Sequence, residues 1–423
     1  MRSLVRYLLF IFAIISLVQC EKEDPYPYVK ITDDNFLNAL IGFGFDKDGD
    51  SLISYDEASL VTELYLDDAS PPIDNMDGIE AFVNLKKLYC SSNNLTSLNV
   101  SKNTFLTILN CQDNLISNLD ISNNTDLTYL NCLNNHLTTL DVSKNTLLTI
   151  LKCQYNLISN LDISNNTDLT YLNCLHNHLT TLDVSNNTLL QQLSCSENLI
   201  PSLDISKNTL LTSLDCEVNL LTNLDVSNNT LLIDLALYRN QLTSLDISKN
   251  TALQKLDCQG NEISNLDVSN NTALQRLWCT HNEITSLDVS CNNALYDLSC
   301  DNNKLTSLDV SKNTGLKTLG CQCNQLTSLD VSKNTELNLL FCSSNQLTSL
   351  DVSKNTKLDL LFCSSNQLTM LDISANNKLT RLSLSYMPSL YKVCVWIIPF
   401  PPNGLNLDTY NSPNVYFTTD CSK

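Results

Sequence analysis

Cysteine is the residue of this sequence whose type and spacing most invite chemistry. Thirteen of the 18 cysteines share one register of 21 residues: Cys90, Cys111, Cys132, Cys153, Cys174, Cys195, Cys216, Cys258, Cys279, Cys300, Cys321, Cys342 and Cys363. Thiolates bind zinc where four ligands converge, usually from pairs spaced as CxxC. The sequence has no such pair, and the close pair Cys321 and Cys323 should face opposite sides of a strand. We therefore predict that these thirteen thiols, called the cysteine ladder below, pack inward as small apolar groups.

Catalysis would need a nucleophile, a base and an orienting group that converge in one pocket. The chain has four histidines, His136, His176, His178 and His281. His136 and His178 occupy the same position of the 21-residue period, which favours a role in turns over a role as bases. We predict that the protein is not an enzyme. Because paired acids on parallel β-coils resemble polysaccharide lyases, an enzyme acting on polysaccharides is kept as an alternative.

An acidic segment near the N-terminus offers the oxygen ligands that a hard cation prefers. Residues 46–57, read as DKDGDSLISYDE, resemble the calcium loop of EF-hands and dockerins, with Ser51 where the family has glycine. That resemblance implies a structural Ca²⁺ ion in the N-terminal cap. The implied ligands are Asp46, Asp48, Asp50, the carbonyl of Leu52, Ser54 and Glu57. The alternative is a solvated acidic turn.

The elements that must position these residues follow from the repeat itself. Each unit reads approximately LxxLxCxxNxLTSLDVSxNxx. Alternation in the first half puts Leu109 and Cys111 inside and Ile108 outside, as in a strand with period two. The second half alternates in the same way, which predicts a second strand in each coil. The asparagine at each LxxN corner should bond backbone groups where the chain turns.

Aspartate recurs at the same period in the second half, from Asp120 to Asp372. Like charges about 5 Å apart repel by roughly 0.8 kcal/mol in water. We predict that hydrogen bonds to backbone or to the neighbouring serine row, such as Ser122 and Ser143, relieve this repulsion.

These residues resemble the leucine-rich repeat family, in its 21-residue bacterial class. The cysteine in place of a consensus apolar residue is similar to the cysteine ladder of internalin J-like repeats. The resemblance covers about residues 85–390. It implies a β-rich solenoid of about 15 coils with parallel short strands and a small helical N-terminal cap. For function it implies binding, usually across the concave sheet.

Large side chains that point outward from this sheet are the candidate partner-binding residues, because exposed apolar patches mark interaction sites. We predict that Leu339 and Phe341 form one patch with Leu360 and Phe362 on two adjacent coils. The full candidate set is Tyr129, Tyr155, Tyr171, Tyr238, Trp278, Leu339, Phe341, Leu360 and Phe362. The alternative is that some of these residues are covered by the C-terminal cap.

The two ends of the solenoid need covers, because terminal repeats cannot bury their own faces. Residues 29–84 are predicted as an N-terminal cap that holds the calcium loop, an atypical first coil and a short helix over 33–41. Residues 391–423 are predicted as a C-terminal cap. Cys394 and Cys421 lie outside the ladder in this segment and are our candidates for a disulfide.

The first residues are predicted to direct export. Arg2 and Arg6 precede an apolar run over 7–18, which is typical of a signal peptide. Leu17-Val18-Gln19-Cys20 resembles a bacterial lipobox, which implies a signal peptide of residues 1–19 and a lipid anchor on Cys20. An acidic tether follows over 20–28. The expected location is the outer membrane at the cell surface, and the alternative is a secreted protein.

Composition restricts the class of partner that the protein can bind. The chain of 423 residues carries 45 acids and 25 bases, a net charge of −20, which argues against nucleic acid. Only 8 glycines leave no phosphate-binding loop. We predict a monomer that binds a protein or a glycan in adhesion or in contact with a host or cell surface. A structural envelope spacer without a specific ligand is the alternative.

Overall fold

Alternating side chains in the first half of each repeat produce a strand of three residues. In Ile108–Asn110 the middle residue, Leu109, is 0% exposed while its two neighbours are partly exposed. A computed structural model describes residues 28–421. The predicted signal peptide, Cys20 and the tether up to residue 27 lie outside the described residues.

Between residues 28 and 421 we number twenty strands in chain order. They are β1 (Glu63–Tyr65), β2 (Lys87–Tyr89), β3 (Ile108–Asn110), β4 (Tyr129–Asn131), β5 (Ile150–Lys152), β6 (Tyr171–Asn173), β7 (Gln192–Ser194), β8 (Ser213–Asp215), β9 (Asp234–Ala236), β10 (Lys255–Asp257), β11 (Arg276–Trp278), β12 (Asp297–Ser299), β13 (Thr318–Gly320), β14 (Leu339–Phe341), β15 (Leu360–Phe362), β16 (Met370–Asp372), β17 (Arg381–Ser383), β18 (Lys392–Cys394), β19 (Asn406–Asp408) and β20 (Tyr416–Thr418).

These strands build a parallel β-solenoid, as predicted. Within the described chain, β1 to β15 pair in sequence order and continue through β17 and β19 to give one 17-stranded parallel sheet. Equivalent residues of successive repeats are in register, as where Leu109 lies beside Leu130. Two strands of the sheet lie outside residues 85–390. Strand β1 forms the atypical first coil that was predicted for the N-terminal cap, and β19 is an additional strand that was not predicted.

The second half of the repeat differs from the prediction. In the described chain a second sheet forms only from β16, β18 and β20, near the C-terminus. Elsewhere the aspartate side chain accepts a hydrogen bond from the backbone N–H two residues later in the same coil. Asp141 Oδ1, for example, accepts the N–H of Ser143 at 2.9 Å. That backbone bond, followed by the Ser143 hydroxyl, lowers the pKa of Asp141. The backbone and hydroxyl groups of the serine row therefore stabilise the charged aspartates, as predicted. The same local bonds are made where a second set of paired strands had been expected.

Two columns of asparagine tie each coil to the preceding ones. The corner asparagine was predicted: Asn219 Nδ2 donates to the carbonyl of Cys195 at 3.0 Å, and its Oδ1 accepts the N–H of Ile200 at 3.0 Å. The second column follows the serine row and was not anticipated. There Asn229 is 0% exposed and donates to the carbonyls of Ile205 and Asn208. Both columns satisfy backbone carbonyls that no strand pairing reaches.

The cysteine ladder packs inside the solenoid as predicted. All thirteen ladder thiols are buried, with exposed fractions of 0% or 1%. Burial raises the pKa of Cys111 to about 12. A buried thiol that stays protonated at neutral pH is a poor nucleophile, and the burial of all thirteen indicates that the ladder contributes packing.

The N-terminal cap is a small helical cover. Helix α1 spans Asp34–Gly42, helix α2 spans Tyr55–Ser59, and a 3-10 turn spans Ile79–Ala81. Asp33 caps α1 by accepting the N–H of Phe36, which packs on Phe82 with ring centroids 6.4 Å apart. Among residues 28–421 no helix is long and apolar enough to cross a membrane.

The C-terminal cap is held by a cystine and a short aromatic stack. Cys394 and Cys421 are paired in the structure, with Cα atoms 5.5 Å apart. Phe400 lies between Trp396 and Phe417, with ring centroids 5.5 and 4.8 Å away. These contacts cover the last coils in a segment that has lost the 21-residue period.

Candidate functional site

The outward side of the 17-stranded sheet, called the sheet face below, presents the first and third residues of every strand. In this sheet the middle residue of every strand except β19 is buried, which leaves its neighbours on the solvent side. Because successive strands are in register, residues 21 positions apart lie side by side. A periodic sequence therefore becomes columns of side chains, and the non-conserved positions of the repeat decide the chemistry of the face.

The predicted patch of four apolar residues is assembled on the sheet face. Leu339 lies beside Leu360, and Phe341 beside Phe362, on the paired strands β14 and β15. The two phenylalanine rings meet edge to face with centroids 5.3 Å apart. All four side chains are partly exposed. This group, called the apolar patch below, lies on the regular part of the sheet, two strand pairings before β19.

A second group, called the tyrosine group below, lies nearer the N-terminus and consists of Tyr129, Lys152 and Tyr171. Tyr129 and Tyr171 are the first residues of β4 and β6, and Lys152 of β5 lies between them. The Lys152 ammonium is 5.7 Å from one ring centroid and 5.6 Å from the other. Cation–π contact of this kind holds the lysine over the rings. The tyrosines were predicted from the sequence and the lysine was not, although all three lie in outward columns of the repeat.

Trp278 has cationic neighbours that were also not predicted from the sequence. Lys255 Nζ lies 5.4 Å and Arg276 Cζ 5.9 Å from the indole ring. Arg276 also lies over the ring of Tyr296, 5.4 Å away, and donates to the tyrosine oxygen. Tryptophan, arginine and tyrosine are the residues that most often dominate protein interfaces. This tryptophan cluster is therefore a third candidate anchor on the sheet face.

Two of the predicted residues lie off the strands. Tyr155 has a φ of 54° in the turn after β5 and contacts His176 with ring centroids 5.1 Å apart. The prediction that it points out along the sheet is wrong, because the chain has already turned at this left-handed position. Tyr238 follows β9 by two residues and is partly exposed, with Arg239 over its ring at 5.1 Å. Both side chains border the sheet face.

Acidic side chains crowd the middle of the sheet face. Burial, followed by the carboxylates of Asp215, Asp257 and Asp234, raises the pKa of Glu217 to about 7. Asp257 is itself buried, and burial raises its pKa as well. This middle segment separates the tyrosine group from the tryptophan cluster and disfavours an anionic ligand there.

The predicted calcium loop brings three carboxylates together. Ligand oxygens of Asp46, Asp48 and Asp50 all lie within 4.8 Å of one another. Asp46 accepts the N–H groups of Gly49 and Ser51, at 2.7 and 3.0 Å, which curls the loop around the acids. Ser51 takes a φ of 68°, the left-handed conformation for which the family has glycine.

The other predicted ligands are placed around that triplet. Glu57 stands apart from it and accepts the N–H of Lys47 at 2.5 Å and the N–H of Ser54 at 2.8 Å. Ser54 and then Lys47 lower the pKa of Glu57 through these bonds. Leu52 donates its own N–H to Asp50. The donor set of carboxylates, hydroxyl and carbonyl fits a hard divalent cation.

Comparison with known proteins places the fold. No model of a known protein family matches the sequence, and no curated protein matches it. Solved structures do match, and they include leucine-rich repeat proteins. The chain belongs to the leucine-rich repeat family.

Within that family the chain is similar to the functional domain of InlJ from Listeria monocytogenes, which includes a cysteine ladder. The two are 38% identical, the match covers 84% of this chain and 80% of that one, and the TM-score is 0.77. A leucine-rich repeat protein of Leptospira interrogans matches with 24% identity over 84% of this chain and 97% of that one, at a TM-score of 0.72. YopM from Yersinia enterocolitica matches with 23% identity over 82% and 76% of the two chains, at a TM-score of 0.65.

Proposed function

We propose that this protein is a surface-anchored recognition protein whose sheet face binds a protein partner. The fold supports this proposal because a leucine-rich repeat solenoid offers a long, regular surface. The observation that carries it is the apolar patch, where Phe341 and Phe362 pack edge to face at 5.3 Å on a face that also carries many polar side chains. Protein interfaces favour such aromatic anchors within a polar surround.

The anchors are arranged as separate groups along one face. The tyrosine group lies on β4 to β6, the tryptophan cluster on β10 to β12, and the apolar patch on β14 and β15. At about 4.8 Å per strand, the distance from the first to the last is on the order of 50 Å. A partner that contacts all three groups would be elongated, which favours a protein surface or an extended segment over a small molecule.

The double variant Phe341→Asp/Phe362→Asp tests this proposal. Two carboxylates in place of the anchors should weaken partner binding at least about thirtyfold, the loss expected of a hot spot. Partners would be identified on a microarray of extracellular protein domains, and affinities measured by biolayer interferometry. Phe105→Asp is the matched control, because Phe105 is 52% exposed and lies outside the strands. If every partner binds the double variant as well as the unmodified protein, the sheet face is not the binding surface.

We further propose that Cys20 carries the lipid that holds the protein at the cell surface. The support is the lipobox-like Leu17-Val18-Gln19-Cys20 after a basic and apolar leader. A net charge of −20 gives no attraction to anionic lipid, so acyl chains would supply the attachment. Cys20→Ser should move the protein from the detergent phase to the aqueous phase in Triton X-114 partitioning. An unmodified protein found in the aqueous phase would exclude a lipid anchor.

The acidic loop is proposed to hold a Ca²⁺ ion that stabilises the N-terminal cap. Calorimetry should show one binding event, and Ca²⁺ at 100 times its Kd should stabilise the cap by about 2.7 kcal/mol. Asp46→Asn/Asp48→Asn should abolish both effects by removing two carboxylates of the triplet. Asp56→Asn, in helix α2 and outside the predicted ligand set, should leave both unchanged. No heat of binding and no change in cap stability would identify the loop as a solvated turn.

A further inference from the structure

A cleft at the N-terminal end of the solenoid lies away from the three groups on the sheet face. It is an open cleft of about 410 Å³ between helix α1 and the chain that follows strand β1. The helix contributes Asn35, Asn38 and Phe43, and the other wall contributes Tyr65, Asp67 and Pro71. Sites for small ligands usually measure about 300–1,000 Å³, so the cleft has room for one or two small rings.

The aromatic wall of the cleft is fixed in place. The ring of Tyr65 stacks on Tyr89 with centroids 5.0 Å apart and planes 9° from parallel. Because Tyr89 covers one face of the ring, the opposite face is the one that Tyr65 can present to the cleft. The Tyr65 hydroxyl donates to Glu63 at 2.6 Å, and Glu63 pairs with Lys87 at 2.8 Å. The ring is thus held by its own contacts and loses little freedom when a ligand stacks on it.

The polar wall of the cleft consists of two asparagine amides, one serine hydroxyl and one carboxylate. Asn35 Nδ2 donates to the carbonyl of Pro72 at 2.7 Å, which fixes the amide and leaves its oxygen to accept another bond. Asp67 Oδ1 accepts the backbone N–H and the hydroxyl of Ser91, so one carboxylate oxygen is already satisfied. No lysine, arginine or histidine is among the lining residues of the described chain. A phosphate, sulfate or carboxylate ligand would find no counter-charge there.

We propose that this cleft binds a neutral saccharide, specifically a β-linked oligosaccharide of glucose or N-acetylglucosamine. The pyranose ring of such a sugar has an apolar C–H face that stacks on Tyr65 and Phe43. Its equatorial hydroxyls donate to the oxygens of Asn35 and Asp67 and accept from the Asn38 amide. A peptide is the less suitable occupant, because the apolar wall residues beside the aromatic rings, Ala39, Ala69 and Pro71, are too small and shallow to enclose a side chain. The site lies at the N-terminal edge of the sheet face, away from the three groups of anchors, and is independent of the proposed protein partner.

The test uses the full chain with cellohexaose and chitohexaose as probes. Saturation-transfer NMR should show magnetisation reaching at least one probe, with a Kd of about 1 mM or tighter by calorimetry. Tyr65→Ala should weaken binding about tenfold. Tyr65→Phe should bind within about threefold of the unmodified protein, because the hydroxyl is engaged by Glu63. Tyr410→Ala is the matched control, because Tyr410 is 64% exposed and meets the ring of Tyr386 edge to face near the other end.

Asn38→Leu provides a second variant should Tyr65→Ala disturb folding, since Asn38 is exposed on the surface of α1. It should also weaken binding of the probe, with the circular dichroism spectrum unchanged. The proposal is overturned if neither probe binds at millimolar concentration, or if Tyr65→Ala and Asn38→Leu both bind as the unmodified protein does. Displacement of the probes by hexalysine would assign the cleft to a basic peptide and would equally overturn it. Phe341→Asp/Phe362→Asp should bind the probes normally, which separates this test from that of the protein partner.

Discussion

Asn219→Ala is expected to lower the free energy of unfolding by about 1–3 kcal/mol, because it leaves the buried N–H of Ile200 without a partner. Its side-chain amide donates to the carbonyls of Cys195, Cys216 and Glu217, at 3.0, 3.3 and 3.1 Å. Its oxygen accepts the N–H of Ile200 at 3.0 Å. Alanine fills none of these roles, and the corner is too buried for water to replace the amide, since Asn219 is only 6% exposed.

A neighbouring asparagine supplies the control for that experiment. Asn228 is exposed and makes one side-chain bond, to the carbonyl of Ser206 at 3.2 Å. Asn228→Ala should therefore change stability by less than about 0.5 kcal/mol. Urea denaturation would compare the two variants, and hydrogen exchange at the Ile200 amide would report the lost bond directly. Equal stability of the two variants would show that the corner asparagines do not hold the coils together.

The thirteen ladder thiols are expected to react with maleimide at least about a thousandfold more slowly than the exposed Cys291 and Cys323. Burial raises the pKa of Cys111 and of Cys153 to about 12, from an ordinary value of 9.0. Three units of pKa reduce the reactive thiolate about a thousandfold at neutral pH. A further factor comes from the local opening that a buried thiol needs before the reagent can reach it.

Peptide mapping by mass spectrometry would give the rate for each cysteine. Cys291 and Cys323 serve as internal standards, because they are free and exposed in the same chain. In guanidinium chloride all free thiols should react at similar rates, which shows that protection comes from the fold. Ladder cysteines that react as fast as Cys323 in the native protein would contradict the inward packing on which the solenoid depends.

The regular part of the fold was predictable because a step of 21 residues along the sequence is also a step of one strand across the sheet. Leu109 and Cys111 are buried and Ile108 faces outward, as the alternation predicts. The corner column needed only an amide at a turn, and Asn219 fills it. The cysteine ladder was assigned on the same basis. In each case the neighbour in space is 21 residues away in sequence, so the column can be read directly from the period.

The candidate site was predicted less completely than the fold. Phe341 and Phe362 were found because their columns are regular and their side chains are large. The roles of Lys152 and Arg276 were not predicted, because their contacts with Tyr129, Tyr171 and Tyr296 are made between neighbouring coils and depend on how those coils are aligned. The position of Tyr155 was predicted wrongly, because the alternation of inward and outward residues does not show where the strand ends and the turn begins.

The sequence by itself determined the solenoid, the inward thiols and leucines, and the columns that face outward, because a repeat carries its own translational symmetry. The tertiary structure decided the parts of the protein that depart from the 21-residue repeat. It confined the second sheet to β16, β18 and β20, and it set Tyr65 against helix α1 to form the cleft. The caps have no period from which a neighbour could be inferred. Contacts between non-repeating segments depend on how the chain closes in space, and that is fixed only once the helices pack on the first coil.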